Sequence, residues 1–159
     1  MKEQLVTSQQ YAGAADLKTA RLRCERICKM ERPRAVEAIR DILYKMTLYR
    51  GQAPDGQYLA FTAQTLLDEI LLDRSLGLGY ITLPEMEYAV KQAVLHKDIY
   101  ISVATVFAAL EEYATGEGHE IEMQVLEERK KANQALPAPK VAGMIDYYTN
   151  KMASNANTR

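Results

Sequence analysis

A chain of 159 residues has room for one ordinary domain with a real core, and two full domains would be cramped. With 48% apolar and 26% charged residues, eight Gly and five Pro, the composition excludes wholesale disorder and favours helices. The net charge of −1 hides a polarity: ten Lys/Arg face five Asp/Glu between Asp16 and Arg50, but three face thirteen between Asp55 and Glu127. A basic N-terminal third and an acidic middle can mark a nucleic-acid surface, or two faces that attract each other within a fold or between subunits.

Residues 1–15 are polar and small, without periodicity, and read as a flexible arm. Asp16 is placed to cap a helix running to about Glu31, with an apolar stripe of Leu17, Ala20, Cys24, Ile27 and Cys28. Pro33 suits the first turn of a second helix, which carries Val36, Ile39, Ile42, Leu43 and Met46 and ends at Tyr49-Arg50-Gly51. Ala53-Pro54-Asp55-Gly56 reads as a tight turn. Thr62 is the expected cap of a third helix, with Leu66, Leu67, Ile70 and Leu71 inward and Gly77 and Gly79 ending it.

Thr82-Leu83-Pro84-Glu85 is the clearest start signal: a capping box with Pro in the first turn, followed by Met86, Ala89, Val90, Ala93 and Val94. The connector 96–101 tucks in its apolar Ile99-Tyr100-Ile101 part. Ser102 caps a fifth helix with Val103, Val106, Phe107, Leu110 and Tyr113. Gly116-Glu117-Gly118 breaks it, and a sixth helix at about 119–135 starts acidic and ends basic, with a thin stripe of Ile121, Val125 and Ala132. After Pro137-Ala138-Pro139 a short terminal helix is expected within 137–153, and 154–159 read as a flexible tail. The expected fold is therefore all-α, a compact bundle of about six or seven helices, with one helical domain over 16–136.

The two cysteines, Cys24 and Cys28, are one turn apart on a helix and make no disulfide framework, which suits a reducing, cytoplasmic setting. Met1 to Gln10 lacks the apolar run of a signal peptide, and no run approaches the ~18 apolar residues of a membrane span. With His96 and His119 the cysteines could in principle assemble four zinc ligands, but the spacing is not that of a zinc finger. The thiols read instead as small core residues, so neither metal nor cofactor is expected. There is no Gly-x-Ser-x-Gly, no phosphate loop and no Glu-x-x-His pair. The adjacent carboxylates Asp68-Glu69, Glu111-Glu112 and Glu127-Glu128 point apart on a helix and read as solvated faces. No activated group is assembled, so no catalytic residue is assigned and an enzyme is not expected.

The candidate nucleic-acid surface is the basic face of the first two helices: Lys18, Arg21, Lys29, Arg32, Arg34 and Arg40. These cations are interleaved with Glu25, Glu31, Glu37 and Asp41, as on an ordinary salt-bridged surface. The run Ile101-Ser102-Val103-Ala104-Thr105-Val106…Leu110 resembles the second helix of the helix-turn-helix in the lactose-repressor family. Its outward positions, Ser102, Ala104, Thr105, Ala108, Ala109, Glu111 and Glu112, include no Arg, Lys, Asn or Gln to read base edges, and two repel phosphate. The preceding turn is also too long, so Ser102 as a cap and Val106-Leu110 as core is the simpler reading. Ten tyrosines, among them Tyr147-Tyr148 beside Met144 and Met152, suit core rims and interfaces.

From Phe61 to Tyr113 the order of a capped Leu66-Leu67 helix, Ile81-Thr82-Leu83…Glu85-Met86-Glu87-Tyr88-Ala89-Val90, a short connector and Ile101-Ser102-Val103…Leu110…Tyr113 resembles small helical proteins of bacteriophages and mobile elements of gut bacteria. The resemblance covers about a third of the chain and carries caps and core positions, not catalytic or binding residues. It implies an accessory role in phage or mobile-element DNA metabolism, such as a helicase-loader-like adaptor. The expected function is a non-enzymatic binding or adaptor protein with a protein partner or a second copy of itself. Nucleic-acid binding by the basic helices is the alternative, and no membrane is involved.

Overall fold

Six helical segments run through residues 14–135, the residues described by the computed structural model: α1 (Ala14–Arg23), α2 (Arg32–Tyr49), α3 (Gly56–Leu72), α4 (Leu83–Lys97), α5 (Val103–Thr115) and α6 (Glu117–Ala135). α5 and α6 meet at Gly116 as the two arms of one bent helix. The described residues thus hold five helices, one of them bent, in an all-α fold without strands, and the expected count of six or seven is not supported. The short helix within 137–153, the tail 154–159 and the arm 1–15, except its last two residues, lie outside the described residues.

Local chemistry sets most helix starts. Pro33 sits in the first turn of α2, as expected. α4 opens on the complete capping box of Thr82 and Glu85, and Ser102 caps α5 by accepting from the Thr105 N–H at 3.2 Å. α3 departs from expectation. The Asp55 carboxylate accepts from the N–H groups of Gln57 at 3.0 Å and Tyr58 at 3.1 Å, so the helix begins at Gly56 and Thr62 is a buried mid-helix residue. The Pro-Asp-Gly turn is itself the cap, because an Asp side chain bonds the first free N–H groups as readily as it makes a turn.

The first helix also differs. It is already formed at Ala14, so Asp16 lies inside it, and it stops at Arg23 rather than near Glu31. Arg26 instead forms an isolated antiparallel bridge with Thr82. The Ile27 N–H donates to the Ile81 carbonyl at 3.0 Å, and Ile27–Lys29 make a single 3₁₀ turn. Ile27 is buried by this pairing, whereas Cys24 is half-buried and Cys28 exposed, so the thiols are not the core pair that helical spacing implied.

α1 and α2 thus form one helix–loop–helix and α3 and α4 another, and their two loops lie side by side. The second loop carries its own 3₁₀ turn, Leu78–Tyr80, entered through Gly77 at φ +66°, a left-handed backbone that glycine adopts without strain. Gly79 is buried against the first loop: a Cβ there would stand 3.2 Å from the Cys28 Cβ.

Of the described residues, 14–125 make one compact unit, and the helical stretch 126–135 belongs to a second. The core of the first is built from Leu17 of α1, Ile39, Leu43 and Met46 of α2, and Leu66 and Ile70 of α3. Met86 and Val90 of α4, Val106 and Leu110 of α5 and Ile121 of α6 complete it. Full burial of each such side chain contributes about 1.5–3 kcal/mol. Among the described residues no helix is long and apolar enough to cross a membrane.

Candidate functional site

The most interconnected polar group is Glu85, which sits in the third position of α4 because the capping box needs a carboxylate there. It is fully buried. Its Oε2 accepts from the Thr82 N–H and hydroxyl, both at 2.9 Å, and its Oε1 from the Tyr113 hydroxyl at 2.8 Å and the Arg21 Nε at 2.8 Å. The Arg21 Nη2 donates to the same oxygen. Nη1 reaches Glu122 Oε2 at 2.7 Å and the Gly118 carbonyl at 3.2 Å. One guanidinium therefore ties α1, α4 and α6 together, and Tyr113 adds α5.

Every oxygen of Glu85 is engaged, so this cluster locks an arrangement of helices rather than offering a reactive group. Burial lowers the Arg21 pKa, but its bonds to Glu85 and Glu122 outweigh that and leave it above the ordinary value. Burial, and then the Glu85 carboxylate, push the Tyr113 hydroxyl well above the usual tyrosine range. A tyrosine whose folded pKa is raised stabilises the fold fully below its unfolded pKa and loses that contribution as pH climbs towards the folded value. Stability is expected to fall above about pH 10 by up to about 1.4 kcal/mol per pH unit for this one proton. Melting temperatures taken from pH 8 upward will show it, and Tyr113→Phe will make the alkaline decline shallower by that proton.

A second feature is a groove of about 380 Å³ between α4 and α5, floored by Ala89, Ala93 and Ala109 and rimmed by Tyr88, His96 and Glu112. Most of its charged and phenolic groups are tied to one another or to Glu85. The Tyr88 hydroxyl is raised in pKa by burial and by its bond to Glu117, Tyr113 is bound to Glu85, and Lys97 pairs with Glu112. The stretch from Asp73 to Glu85, the α3–α4 loop and the first turn of α4, has a carboxylate at each end, an outline suited to calcium. Both carboxylates are consumed within the chain. Asp73 accepts from the N–H groups of Ser75, Leu76 and Leu78 and from the Ser75 hydroxyl. Burial would raise its pKa, but these donors hold it below the ordinary value. No group of three His, Cys, Asp or Glu side chains able to hold a metal occurs among the described residues, and Cys24, Cys28, His96 and His119 form none.

The six cations of the expected nucleic-acid surface do not form one open patch. Arg21 is turned inward, with 8% of its side chain exposed. Arg32 pairs with Asp68 at 2.6 Å, Arg34 with Glu25 at 3.1 Å, and Arg40 with Asp41 at 3.3 Å and Glu37 at 3.7 Å. Lys18 is half-buried, and Lys29 is exposed in the first loop. The helix-turn-helix likeness resolves in favour of the simpler reading: Ser102 is a cap, Val106 and Leu110 are buried, and Ala104, Ala108 and Glu112 face solvent.

Sequence reasoning missed an exposed apolar surface at the C-terminal ends of α2 and α4. Arg50 joins these ends by pairing with Asp98 at 2.9 Å and donating to its carbonyl at 3.0 Å, and Lys91 lies over the Tyr49 ring, 5.3 Å from its centre. Beside this junction Tyr49 of α2 and Leu95 of α4 are exposed, Leu95 by 55%, and Tyr44 and Leu48, one turn apart, are exposed on the last turns of α2, Leu48 by 51%. Tyr44, Leu48 and Tyr49 fall between the inward positions of α2, a signal legible in the spacing once the inward face is fixed. No family model, no curated protein and no solved structure matches the chain.

Proposed function

We propose that the chain is a non-enzymatic binding or adaptor protein that meets a protein partner, or a second copy of itself, through the joined ends of α2 and α4. The exposure of Tyr44, Leu48 and Tyr49 on the last turns of α2 and of Leu95 on α4, whose ends Arg50 joins, carries this reading. Large apolar and aromatic side chains gathered on a surface mark interaction sites more often than solvated faces do. The Glu85 cluster supports it too, because its groups are committed to holding helices together. The resemblance to phage and mobile-element proteins supplies the setting, an accessory role in DNA metabolism.

Size exclusion with light scattering at rising protein concentration tests the surface. Self-association, or retention of a defined partner, is expected to weaken at least tenfold in Leu48→Glu combined with Leu95→Glu, since losing two buried leucines at an interface removes about 3–6 kcal/mol. Both residues are exposed, so the melting temperature should not move. A protein that remains monomeric at high concentration, and binds the same partners with and without the two substitutions, would sink the reading.

A further inference from the structure

The ion pairs that neutralise α1 and α2 leave four cations without a carboxylate partner, of which only Lys29 belongs to the expected surface. Arg23 ends α1, Arg26 and Lys29 lie in the first loop, and Arg74 opens the second. None of the four has an ion pair among the described residues. Because the two loops are joined by the Arg26–Thr82 bridge, these residues share one end of the helical unit.

An aromatic platform stands at the same end. Tyr80 is 60% exposed, and the Arg26 guanidinium lies over its ring, 5.3 Å from the centre. The pair lines a cleft of about 360 Å³ with Arg21, Gly118, His119 and Glu122. The nearby carboxylates are largely spent: Glu122 on Arg21, Glu25 on Arg34 and Asp73 on backbone N–H groups. Glu31, exposed at the end of the first loop, offsets one of the four positive charges.

We propose that the paired loops bind single-stranded nucleic acid, one base entering the cleft beside the Arg26–Tyr80 pair and the flanking phosphates meeting Arg23, Lys29 and Arg74. A stacked arginine and tyrosine with unneutralised cations on either side is the chemistry of a sequence-tolerant single-strand site. An unpaired strand is favoured over a duplex because the platform is an aromatic face, and a duplex keeps its base faces stacked away from side chains. The proposal stands apart from the adaptor surface, which lies at the C-terminal ends of α2 and α4.

Fluorescence anisotropy of a labelled mixed-sequence DNA strand of about twelve nucleotides tests it. Three phosphate contacts predict an affinity that falls roughly twentyfold between about 50 and 200 mM salt. Tyr80→Ala is expected to lose at least about fivefold and Tyr80→Phe to keep binding, because the ring face carries the stack. Arg26→Glu should lose at least about tenfold, and Arg40→Glu, further along α2 and already paired, should change little. Thermal melts of each variant separate lost binding from lost folding, and Tyr80→Phe and Arg26→Lys keep the test open if a harsher change unfolds the chain. No binding at low salt would overturn the proposal. So would binding indifferent to Tyr80→Ala and Arg26→Glu, equal affinity for duplex, or displacement of the strand by adenosine monophosphate at comparable concentrations, which would mark a mononucleotide pocket.

Discussion

Arg21→Met is expected to destabilise the protein by about 3–5 kcal/mol, the largest effect of any single side-chain change on the surface of α1. The methionine keeps the length and apolar stem of arginine, so packing is little altered. What changes is Glu85, left buried and charged without its guanidinium, while Glu122 and the Gly118 carbonyl lose the donor that draws α6 onto α1. Removing one member of a buried ion pair costs far more than removing both, because the remaining charge keeps its desolvation penalty. Arg21→Met combined with Glu85→Gln is therefore expected to be more stable than Arg21→Met alone. Urea unfolding of the wild type, both single variants and the double variant gives the coupling directly. Additive losses would show that the two side chains do not act together.

The same pair explains how much could be read from the sequence. Thr82 and Glu85 are three residues apart, and a capping box declares itself at that range, so the start of α4 was legible. Arg21 was not: periodicity places it on a polar face beside Lys18 and Lys29, and its partners Glu85 and Glu122 are remote in the chain. The charge polarity allowed either an external basic surface or attraction between two faces of one fold. Arg21–Glu85, Arg32–Asp68, Lys45–Glu87 and Arg50–Asp98 each join the basic third to the acidic middle, so the second reading holds for much of that charge.

Two misread elements have the same origin. Nothing local ends α1 at Arg23, and the apolar spacing through Cys28 continues a helix; only pairing with Thr82, a long-range contact, draws Arg26 and Ile27 into a bridge. Asp55 was legible as a turn residue but equally able to cap, and the eventual winner depends on where α3 must begin to bury Leu59. The exposed residues of α2 and the Arg26–Tyr80 pair were absent from the sequence reading for a related reason. Periodicity says which face is apolar, not which cations a distant carboxylate will neutralise.

Gly118→Ala is the second large effect, and it sets two magnitudes against each other. Alanine is the better helix former by about 1 kcal/mol, and Gly118 lies in the first turn of α6. A Cβ at Gly118 would, however, stand 2.8 Å from Tyr113 Cε1 and 2.9 Å from the Tyr113 carbonyl. The ring cannot swing aside freely, since its hydroxyl is bonded to Glu85 at 2.8 Å and its edge packs against Tyr88 with centroids 6.2 Å apart. The carbonyl belongs to the last turns of α5 and moves only with the bend itself. Overpacking of this kind costs about 1–3 kcal/mol, and here it also disturbs the Gly118 carbonyl, which receives Arg21, so the clash is expected to win and the variant to melt lower. Gly56→Ala supplies the contrast: a Cβ there meets nothing within 4 Å, and helix propensity alone predicts a neutral or slightly stabilising change. If both variants melted together at or above the wild type, the close approach of α6 to Tyr113 would not be what fixes the bend at Gly116.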